Sequence, residues 1–525
     1  MSRLSIRAHL LKIALCVTAF VPASAHAEWC EASSDHFLIY ADSSEDNIRR
    51  FSDQLERFHA ALEVATGTPP RVPSPANRVQ IFAVNDVRQV QMLYSKRYGG
   101  VLGFYIPRAG DSVAFVVEDE KARKDNRISS SMVTLLHEYA HHFTQTASAF
   151  PWPRWMGEGS AEFFSAARFE PDGSVSLGRP TATRSYELEF ISDVPVKQLL
   201  DWRLYEKGAG ARPKYNNFYA RSWLLYHMLT FDPARKGQLA KYQRGLLEGK
   251  EPLEAGSSAF GDLDKLNLDL FAYAKRKELT GMLIPARQLS PGPIKVRALS
   301  PGEADAMSLE MRARRGVREH FTGRIASSAR KIATANPKNA RLQALLAETE
   351  YLDGNDSAAI EAADAAIALD PAETRAYVQK GLALFRQAEA LKGAERAKAM
   401  SAARKPFLAL NRIENDHPIP LIYFYRTFLE AGDPIPDAAR AGLQRAAQLA
   451  PFDLGLHLEL AKMYVRDNEL DAARTELQII TANPHGGAYQ KAAMAMRAAL
   501  DAGSLQGGSN DFAAYRVGED DQDED

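Results

Sequence analysis

Two histidines and a glutamate form the motif in the sequence that says most about its chemistry. His137 and His141 are four residues apart, and Glu138 stands between them. On a helix this spacing brings both imidazoles to one face, one turn apart, where they can coordinate a single tetrahedral zinc ion. Glu138 can then reach a water molecule on that metal. Residues 129–131 are serines that can cap a helix, so the sequence predicts a helix that begins there and carries all three side chains.

A second acidic phrase begins fourteen residues after His141. Catalytic zinc sites usually have three protein ligands and a water molecule, so two histidines leave one ligand to be found. Residues 155–161 read WMGEGSA, which places Glu158 at the start of a second predicted helix. An HExxH motif followed by this W-x-x-E-G-x-A phrase resembles the gluzincin metallopeptidases, the peptidase MA-like group that includes the aminopeptidase N and thermolysin families.

The resemblance implies a zincin-like α+β metallopeptidase domain, with a small mixed sheet plus helices and Zn²⁺ as its cofactor. It makes His137, His141 and Glu158 the zinc ligands and Glu138 the general base. Glu162, one helical turn after Glu158, matches the family's carboxylate that accepts a hydrogen bond from the outer N–H of a ligand histidine. The alternative for Glu162 is an exposed helix charge.

The same resemblance expects a tyrosine about sixty residues beyond the glutamate ligand, where its hydroxyl stabilises the oxyanion. Tyr219 is the first choice for this role. Tyr226 and His227 remain competitors, and each of them alone is more typical of a core residue. His142 points about 100° away from His141 around the helix, so we predict that it packs or caps rather than binds metal.

The expected reaction is hydrolysis of peptide bonds. The sequence has no G-x-M-E-N string, the element that holds the free amino group of a substrate in aminopeptidases. We therefore predict an endopeptidase. The segment 112–117 could be the edge strand to which an extended substrate adds by backbone hydrogen bonds, although an ordinary sheet strand is the favoured interpretation.

Strand and helix patterns alternate around these residues. Segments 36–40, 79–84 and 112–117 are rich in β-branched and aromatic residues and predict strands, and helical periodicity dominates from residue 131 onward. We assign residues 28–285 to the metallopeptidase-like domain. Residues 286–305 are dense in Pro, Gly and Ser, which predicts an interdomain linker.

The sequence beyond the linker repeats with a period close to 34 residues. Pro337 and Pro371 are 34 residues apart, and small residues recur in register at Ala347, Ala359 and Ala366. This pattern resembles the tetratricopeptide repeat (TPR), so residues 306–500 predict an all-α TPR solenoid whose stacked helical hairpins bind a protein partner. A generic helical bundle is the alternative. Residues 501–525 end in six acids among seven positions and predict a disordered acidic tail.

Residues 1–27 have the form of a secretory signal peptide. Three basic residues precede a short apolar run, which Pro22 ends, and Ala25 and Ala27 suit a signal peptidase. Removal of this segment removes Cys16 and leaves Cys30 as the remaining cysteine, so no intramolecular disulfide is expected. We predict an exported, soluble protein, periplasmic or secreted, with no integral membrane segment after cleavage.

The composition limits the remaining classes. The chain has 525 residues, of which 46% are hydrophobic and 25% charged, enough for several ordinary globular domains. A formal net charge of −1 gives no basic excess, so we do not expect nucleic acid as a partner. The leading prediction is an exported zinc metallopeptidase that acts on a protein or peptide substrate. The alternative is a catalytically weak or inactive zinc-binding TPR scaffold of the cell envelope.

Overall fold

The computed structural model describes residues 29–94, 101–118, 128–148, 150, 152–191, 193–207, 216–316, 321–483 and 486–517. The predicted signal peptide, residues 1–27, and residues 518–525, which include the acidic end of the predicted tail, lie outside these ranges. Among the described helices, none is long and apolar enough to cross a bilayer.

Nine strands are described, and they form two sheets. They are β1 (Trp29–Ser33), β2 (Phe37–Asp42), β3 (Val79–Val84), β4 (Gly103–Ile106), β5 (Val113–Val117), β6 (Arg168–Phe169), β7 (Val175–Leu177), β8 (Met282–Ile284) and β9 (Lys295–Ala298). The larger sheet has the order β4-β5-β3-β2-β1-β9, and the smaller has the order β6-β7-β8. In the larger sheet β2–β3 and β3–β5 are parallel and the other pairs antiparallel. The predicted small mixed sheet is therefore present.

The candidate substrate strand is not at the edge of this sheet. β5 lies between β3 and β4, and its antiparallel partner β4 takes the edge position. The idea that residues 112–117 form an edge strand is therefore wrong, and the alternative of an ordinary sheet strand is correct. The pattern of residues 112–117 gave no information about β4, because pairing partners are set by tertiary packing.

Some helices of the N-terminal half pack on the larger sheet, and the others build a helical layer beside it. They are α1 (Glu45–Thr66), α2 (Val87–Tyr94), α3 (Ser130–Ala147), α4 (Arg154–Ser165), α5 (Ala182–Phe190), α6 (Val196–Leu200), α7 (Trp202–Lys207), α8 (Phe218–Phe231), α9 (Gln238–Leu247), α10 (Pro252–Phe260) and α11 (Leu263–Ala274). α1 and α3 cover one face of the sheet, and one continuous apolar core joins them to α4 and α8. α3 is thus held between the sheet and α4.

The segment predicted as a linker is only partly a linker. Residues 295–298 form β9, which pairs with β1 along the sheet edge opposite β4. The next helix begins at Pro301, where Ser300 and Glu303 form a capping box. The boundary prediction of 286–305 is corrected on this point: its Pro and Gly residues interrupt helical periodicity but leave room for a short strand.

Eleven helices are described after β9. They are α12 (Pro301–Arg315), α13 (Thr322–Ala335), α14 (Ala340–Leu352), α15 (Asp356–Leu369), α16 (Thr374–Glu389), α17 (Gly393–Ile413), α18 (Pro418–Ala431), α19 (Asp437–Leu449), α20 (Leu454–Arg466), α21 (Leu470–Ala482) and α22 (Gly487–Asp501). From α13 on, each packs on the next, and the contact between α19 and α20 is the smallest of these. Helices α13–α22 form a stack of hairpins that we call the helical repeat.

The helical repeat follows the predicted period. α14 and α16 begin 34 residues apart, at Ala340 and Thr374, and Pro337 lies in the turn ahead of α14. Ala347, Ala359 and Ala366 are fully buried, as close helix approach requires. The spacing lengthens at α17, a 21-residue helix with Pro406 inside it. The predicted small positions are confirmed as helix contacts.

The predicted disordered tail is wrong for its first part. Leu505 and Phe512 are each 7% exposed and pack in one apolar cluster with Leu477 and Met496 of the last hairpin. Residues 501–517 therefore close the end of the helical repeat. The acidic residues that led to the prediction lie at 519–525, whereas residues 501–517 include apolar side chains that can be buried.

Candidate metal centre

Two consecutive helices carry the candidate ligands. The Ser129 side chain accepts a hydrogen bond from the Met132 backbone N–H at 3.0 Å, so α3 begins where the serines predict. Leu136 and Ala140 are fully buried in the core and fix the rotation of α3 about its axis. α4 packs directly on α3. This arrangement turns one face of α3 toward α4.

The structure brings His137, His141 and Glu158 together. The His137 Nε2 and His141 Nε2 atoms are 3.2 Å apart, and Glu158 Oε2 lies 3.3 Å from His137 Nε2 and 3.5 Å from His141 Nε2. A tetrahedral zinc ion with ligand bonds of about 2.0–2.1 Å has ligand-to-ligand edges of about 3.3–3.4 Å. The three donor atoms are therefore spaced as the corners of one zinc tetrahedron.

The chemistry of these donors also suits zinc. Two imidazole nitrogens and one carboxylate oxygen are one of the common donor sets of catalytic zinc sites with three protein ligands. Glu158 is fully buried, and His141 is 8% exposed. Burying a carboxylate among apolar residues is costly unless a cation or a hydrogen-bond donor compensates it. The residues present therefore fit a divalent zinc ion.

Glu162 lies behind His137. Its Oε1 atom is 3.3 Å from His137 Nδ1 and accepts a hydrogen bond from Arg184 Nη2 at 2.7 Å. Glu162 is 5% exposed, so the alternative of an exposed helix charge is wrong. Burial raises the pKa of Glu162, but its contacts with His137 and Arg184 lower that pKa overall to about 2. The carboxylate stays ionised and can hold the His137 ring by its outer nitrogen.

Arg184 is a site residue that the sequence analysis missed. It lies on α5, and its Nη1 atom donates to Glu187 Oε1 at 2.6 Å while Nη2 holds Glu162. A single arginine on a short helix has no distinguishing sequence pattern. Its role depends on the approach of α5 to α4, which local periodicity does not encode.

His137 lies between two carboxylates, those of Glu158 and Glu162. Burial by itself lowers the pKa of an imidazole, but the carboxylates of Glu158 and Glu162 raise the pKa of His137 well above its ordinary value. Two carboxylates thus stabilise positive charge at this ring. The same negative surroundings favour a divalent cation at the Nε2 side.

Glu138 and Tyr219 are the residues predicted as base and oxyanion donor. Glu138 is half-buried on α3, directly after His137. The Tyr219 ring lies 5.0 Å from the guanidinium carbon of Arg184. Burial and the nearby Glu158 charge raise the pKa of Tyr219 to about 12. Its hydroxyl therefore stays protonated at neutral pH and is able to donate a hydrogen bond.

The two competitors of Tyr219 belong to the core. Tyr226 packs edge-on against Phe163 with 5.4 Å between ring centroids. His227 is fully buried, and its two ring nitrogens lie 2.9 Å from Tyr273 Oη and 2.9 Å from the Thr280 carbonyl oxygen. Both nitrogens of His227 are occupied in this way, so His227 is not placed to stabilise an oxyanion.

His142 takes a packing position, as expected from its angle around α3. Its ring stacks on Tyr139 and contacts Phe452 of the helical repeat, with ring centroids 5.6 and 4.7 Å apart. Its Nδ1 atom lies 2.7 Å from Tyr105 Oη. Burial lowers the pKa of His142 to about 3, so the ring is neutral.

A second group of metal-binding residue types, which the sequence analysis missed, comprises His36, His59 and Glu63. The two imidazole rings are stacked, with centroids 3.5 Å apart and an interplanar angle of 24°. The two ring planes are therefore nearly parallel. Both nitrogens of each ring already have hydrogen-bond partners: Glu56 and the Arg71 carbonyl for His36, and Tyr139 and Glu63 for His59. This group is a buried hydrogen-bond network.

The described chain therefore joins an α+β domain with a two-histidine, one-glutamate centre to a stack of helical hairpins. It matches no protein-family model and no curated protein. Among solved structures, it is similar to TTC0263, a thermophilic TPR protein of Thermus thermophilus, with 18% identity and a TM-score of 0.29 over 35% of this chain and 91% of that one.

Two further solved structures are similar over nearly the same share of the chain. MamA has 14% identity and a TM-score of 0.27 over 35% of this chain and 96% of its own. The MamA RS-1 ArsTM double mutant has 14% identity and a TM-score of 0.28 over 34% of this chain and 93% of its own. Because these TM-scores are low, the TPR-type description of the helical repeat rests on its own helix packing and 34-residue spacing.

Proposed function

We propose that this chain is a zinc-dependent hydrolase of peptide bonds. The observation that carries the proposal is the convergence of His137 Nε2, His141 Nε2 and Glu158 Oε2, whose separations of 3.2 to 3.5 Å match the edges of a zinc tetrahedron. These three residues would hold the zinc ion, which would supply Lewis acidity toward a scissile carbonyl and toward a water molecule.

The side chains around the three ligands supply the remaining roles. Glu138, next to His137 on α3, accepts the proton of the attacking water on its carboxylate and delivers it to the leaving amine. Glu162 and Arg184 hold the His137 ring from behind, which keeps Nε2 directed toward the metal. The protonated hydroxyl of Tyr219 donates to the oxyanion of the tetrahedral intermediate.

We propose an extended peptide as the substrate, cleaved within its chain. β4 is an edge strand of the larger sheet, and it packs on α3. An extended peptide can add to such an edge through backbone hydrogen bonds. The sequence lacks the G-x-M-E-N string that holds a free amino group in aminopeptidases, which favours an endopeptidase.

The proposal also includes export and a protein partner. The basic, apolar and small-residue segments within residues 1–27 have the order of a secretory signal peptide, which supports a periplasmic or secreted location. The stacked hairpins of the helical repeat offer a surface of the kind that binds protein partners.

A second candidate function is a zinc-binding scaffold of the cell envelope without significant turnover. It is favoured by the extent of the helical repeat, whose helices run from Thr322 in α13 to Asp501 in α22. Such a scaffold needs the three ligands but has no use for a base at position 138. The two candidates therefore make different demands on Glu138.

The deciding variant is Glu138→Gln, measured for bound zinc and for cleavage of a peptide library. We expect full zinc content and a loss of hydrolysis of at least about a hundredfold, and an unchanged rate in the control Glu45→Gln, whose side chain is exposed. Equal rates in Glu138→Gln and the parent would refute the catalytic assignment. A parent that binds zinc and cleaves nothing supports the scaffold, and zinc content that His137→Ala leaves unchanged removes both candidates.

A further inference from the structure

The loop between β4 and β5, residues 107–112, enters the helical repeat. The Ala109 backbone N–H donates to Asp453 Oδ2 at 2.9 Å. Ala109 is 5% exposed and belongs to an apolar cluster that includes Tyr425 and Leu443 of the repeat. A residue of the N-terminal half is therefore part of the core of the C-terminal half.

Charged and polar contacts hold both sides of this loop. Arg108 donates through Nη1 and Nη2 to the backbone carbonyls of Arg314 and Arg315, at 2.7 and 3.0 Å. Arg314 Nη1 in turn donates to Asp111 Oδ1 at 2.7 Å. The carbonyls at the C-terminal end of α12 are the negative end of its dipole, so a guanidinium is well placed there. The loop is thus bound at its backbone and at two side chains.

Gly110 fits the loop closely to the repeat. Its φ of 72° is in the left-handed region, which residues with a Cβ rarely adopt. A Cβ at this position would lie 3.2 Å from His417 Cε1 and 3.4 Å from Ile419 Cγ1. Both the backbone conformation and the space on the repeat therefore select glycine.

The same region of the repeat touches the metal-binding helix. Phe452, next to Asp453, packs on the ring of His142. His142 Nδ1 lies 2.7 Å from Tyr105 Oη, and Tyr105 is a residue of β4. One turn of the repeat, residues 452–453, thus contacts the loop that follows β4 and the helix that carries His137 and His141.

A second attachment lies at the start of β3. The Ala76 backbone N–H donates to Glu414 Oε1 at 2.7 Å. Ser74 Oγ and Asn77 Nδ2 both donate to the Asp416 carbonyl oxygen, at 3.1 and 2.8 Å. The repeat therefore binds two loops of the larger sheet. Its α17–α18 turn contacts residues 74–77, and its α19–α20 turn contacts residues 107–112.

We infer that the helical repeat acts in cis as a brace that positions the edge strand β4 and the metal-binding helix α3. Residues 107–112 of the same chain already cover this surface of the repeat. This surface therefore holds β4 in position and is not a binding site for another protein. The inference goes beyond the proposed hydrolysis and does not require it, because it concerns the rigidity of β4 and α3.

The test is hydrogen–deuterium exchange of the full chain, without added metal, in the parent and in Asp453→Ser. Asp453 uses Oδ1 to cap α20 through the Leu456 N–H and Oδ2 to hold Ala109. Serine keeps an oxygen for the cap but has no second oxygen for the loop. We expect at least about tenfold faster exchange in β4 and in the Ser130–Phe143 part of α3, with unchanged exchange in α14 and α15.

Two further variants complete the test. Asp467→Ser removes an ion pair with Arg440 inside the repeat, 2.9 Å long in the parent, and leaves the loop seat intact, so it should exchange like the parent in β4 and α3. Gly110→Val should reproduce Asp453→Ser, because its side chain displaces the loop.

The outcomes separate the brace from ordinary destabilisation. Faster exchange confined to residues 107–112 and α20 in Asp453→Ser would overturn the inference, and so would an equal effect of Asp467→Ser on β4 and α3. If the Gly110→Val variant does not fold, the exchange measured in Asp453→Ser is sufficient to decide between the two explanations. The exchange measurement needs neither zinc nor substrate, so a chain that fails to cleave peptides still tests the brace.

Discussion

At the scale of single residues, the candidate metal centre is a chain of contacts between basic and acidic side chains. Arg184 holds Glu162, Glu162 holds the outer nitrogen of His137, and the inner nitrogen of His137 faces Glu158 and His141. Carboxylates that hold ligand histidines fix the ring orientation and increase the basicity of the ligand. Arg184 adds a positive charge that keeps this carboxylate in place and ionised.

Loss of Arg184 should weaken metal binding without removing a ligand. We expect Arg184→Gln to lower zinc affinity by about tenfold to a hundredfold, measured by competition with a chromophoric chelator. Arg179→Gln is the matched control, because Arg179 is exposed nearby on the loop before α5. Unchanged affinity in Arg184→Gln would show that Glu162 orients His137 without help.

At the scale of elements, the site depends on the close approach of α4 to α8. A Cβ on Gly159 would lie 2.5 Å from the Ser222 carbonyl oxygen, whereas a Cβ on Gly157 would meet nothing within 4 Å. The two glycines are on the same helix, on either side of Glu158. Only one of them is required by packing, although both are part of the same sequence phrase.

The two glycines predict opposite effects of the same substitution. Gly159→Ala should destabilise the fold by about 1–3 kcal/mol, because the new methyl group forces α4 from α8, and should lower zinc affinity by moving Glu158. Gly157→Ala should be neutral or stabilising by up to about 1 kcal/mol, from the helix propensity of alanine. Urea unfolding and zinc competition measure both, and a harmless Gly159→Ala would contradict the helix contact.

A buried carboxylate of helix α12 holds this helix to α16 of the helical repeat. Glu310 is 1% exposed, and its two oxygens accept hydrogen bonds from Arg375 Nη1 at 2.8 and 2.9 Å. Burial raises the pKa of Glu310, but the charges of Arg375 and Arg314 lower it overall to about 2. The folded state therefore binds a proton at Glu310 more weakly than the unfolded chain does.

The sign of this shift predicts an acid sensitivity. The stabilisation from ionised Glu310 is complete above its ordinary pKa of 4.5 and is lost as the pH falls from there toward about 2. Glu310→Gln should lower stability at pH 7 by about 3 kcal/mol and should make stability less dependent on pH below about 5. Urea unfolding from neutral to acidic pH tests this, with exposed Glu361→Gln as the control. A parallel pH profile in parent and Glu310→Gln would contradict it.

At the scale of the whole molecule, α12 belongs to both halves at once. Met307 and Met311 pack on the face of the larger sheet with Phe82 and Phe115. Leu309 and Ala313, on the other side of the same helix, pack with the first hairpin of the repeat. Together with the loop at residues 107–112, this helix makes the two halves a continuous packed structure.

Zinc should stabilise the folded chain if the three donors bind it. At a free zinc concentration of about a hundred times Kd, we expect the free energy of unfolding to rise by about 2.7 kcal/mol, because the ion binds the folded state selectively. His141→Ala should abolish this increase, and an excess of chelator should reverse it in the parent. Calorimetry with and without zinc measures the effect, and an equal rise in His141→Ala would place the ion elsewhere.

The sequence by itself determined the parts that are encoded by neighbouring residues. The α3 helix with its Ser129 cap, the shared face of His137 and His141, and the 34-residue period of the repeat follow from local spacing and capping. The shared face is visible because an α-helix turns once every 3.6 residues, and the 34-residue period is visible because each helical hairpin repeats the same packing positions.

The tertiary structure decided what depends on distant residues. It placed β4 outside β5, drew residues 295–298 into the sheet, brought Arg184 to Glu162 and seated Ala109 in the repeat. Each of these contacts joins segments whose own sequences are compatible with several partners. Which partner is chosen depends on the burial of apolar surface over the whole chain, and no local pattern contains that information.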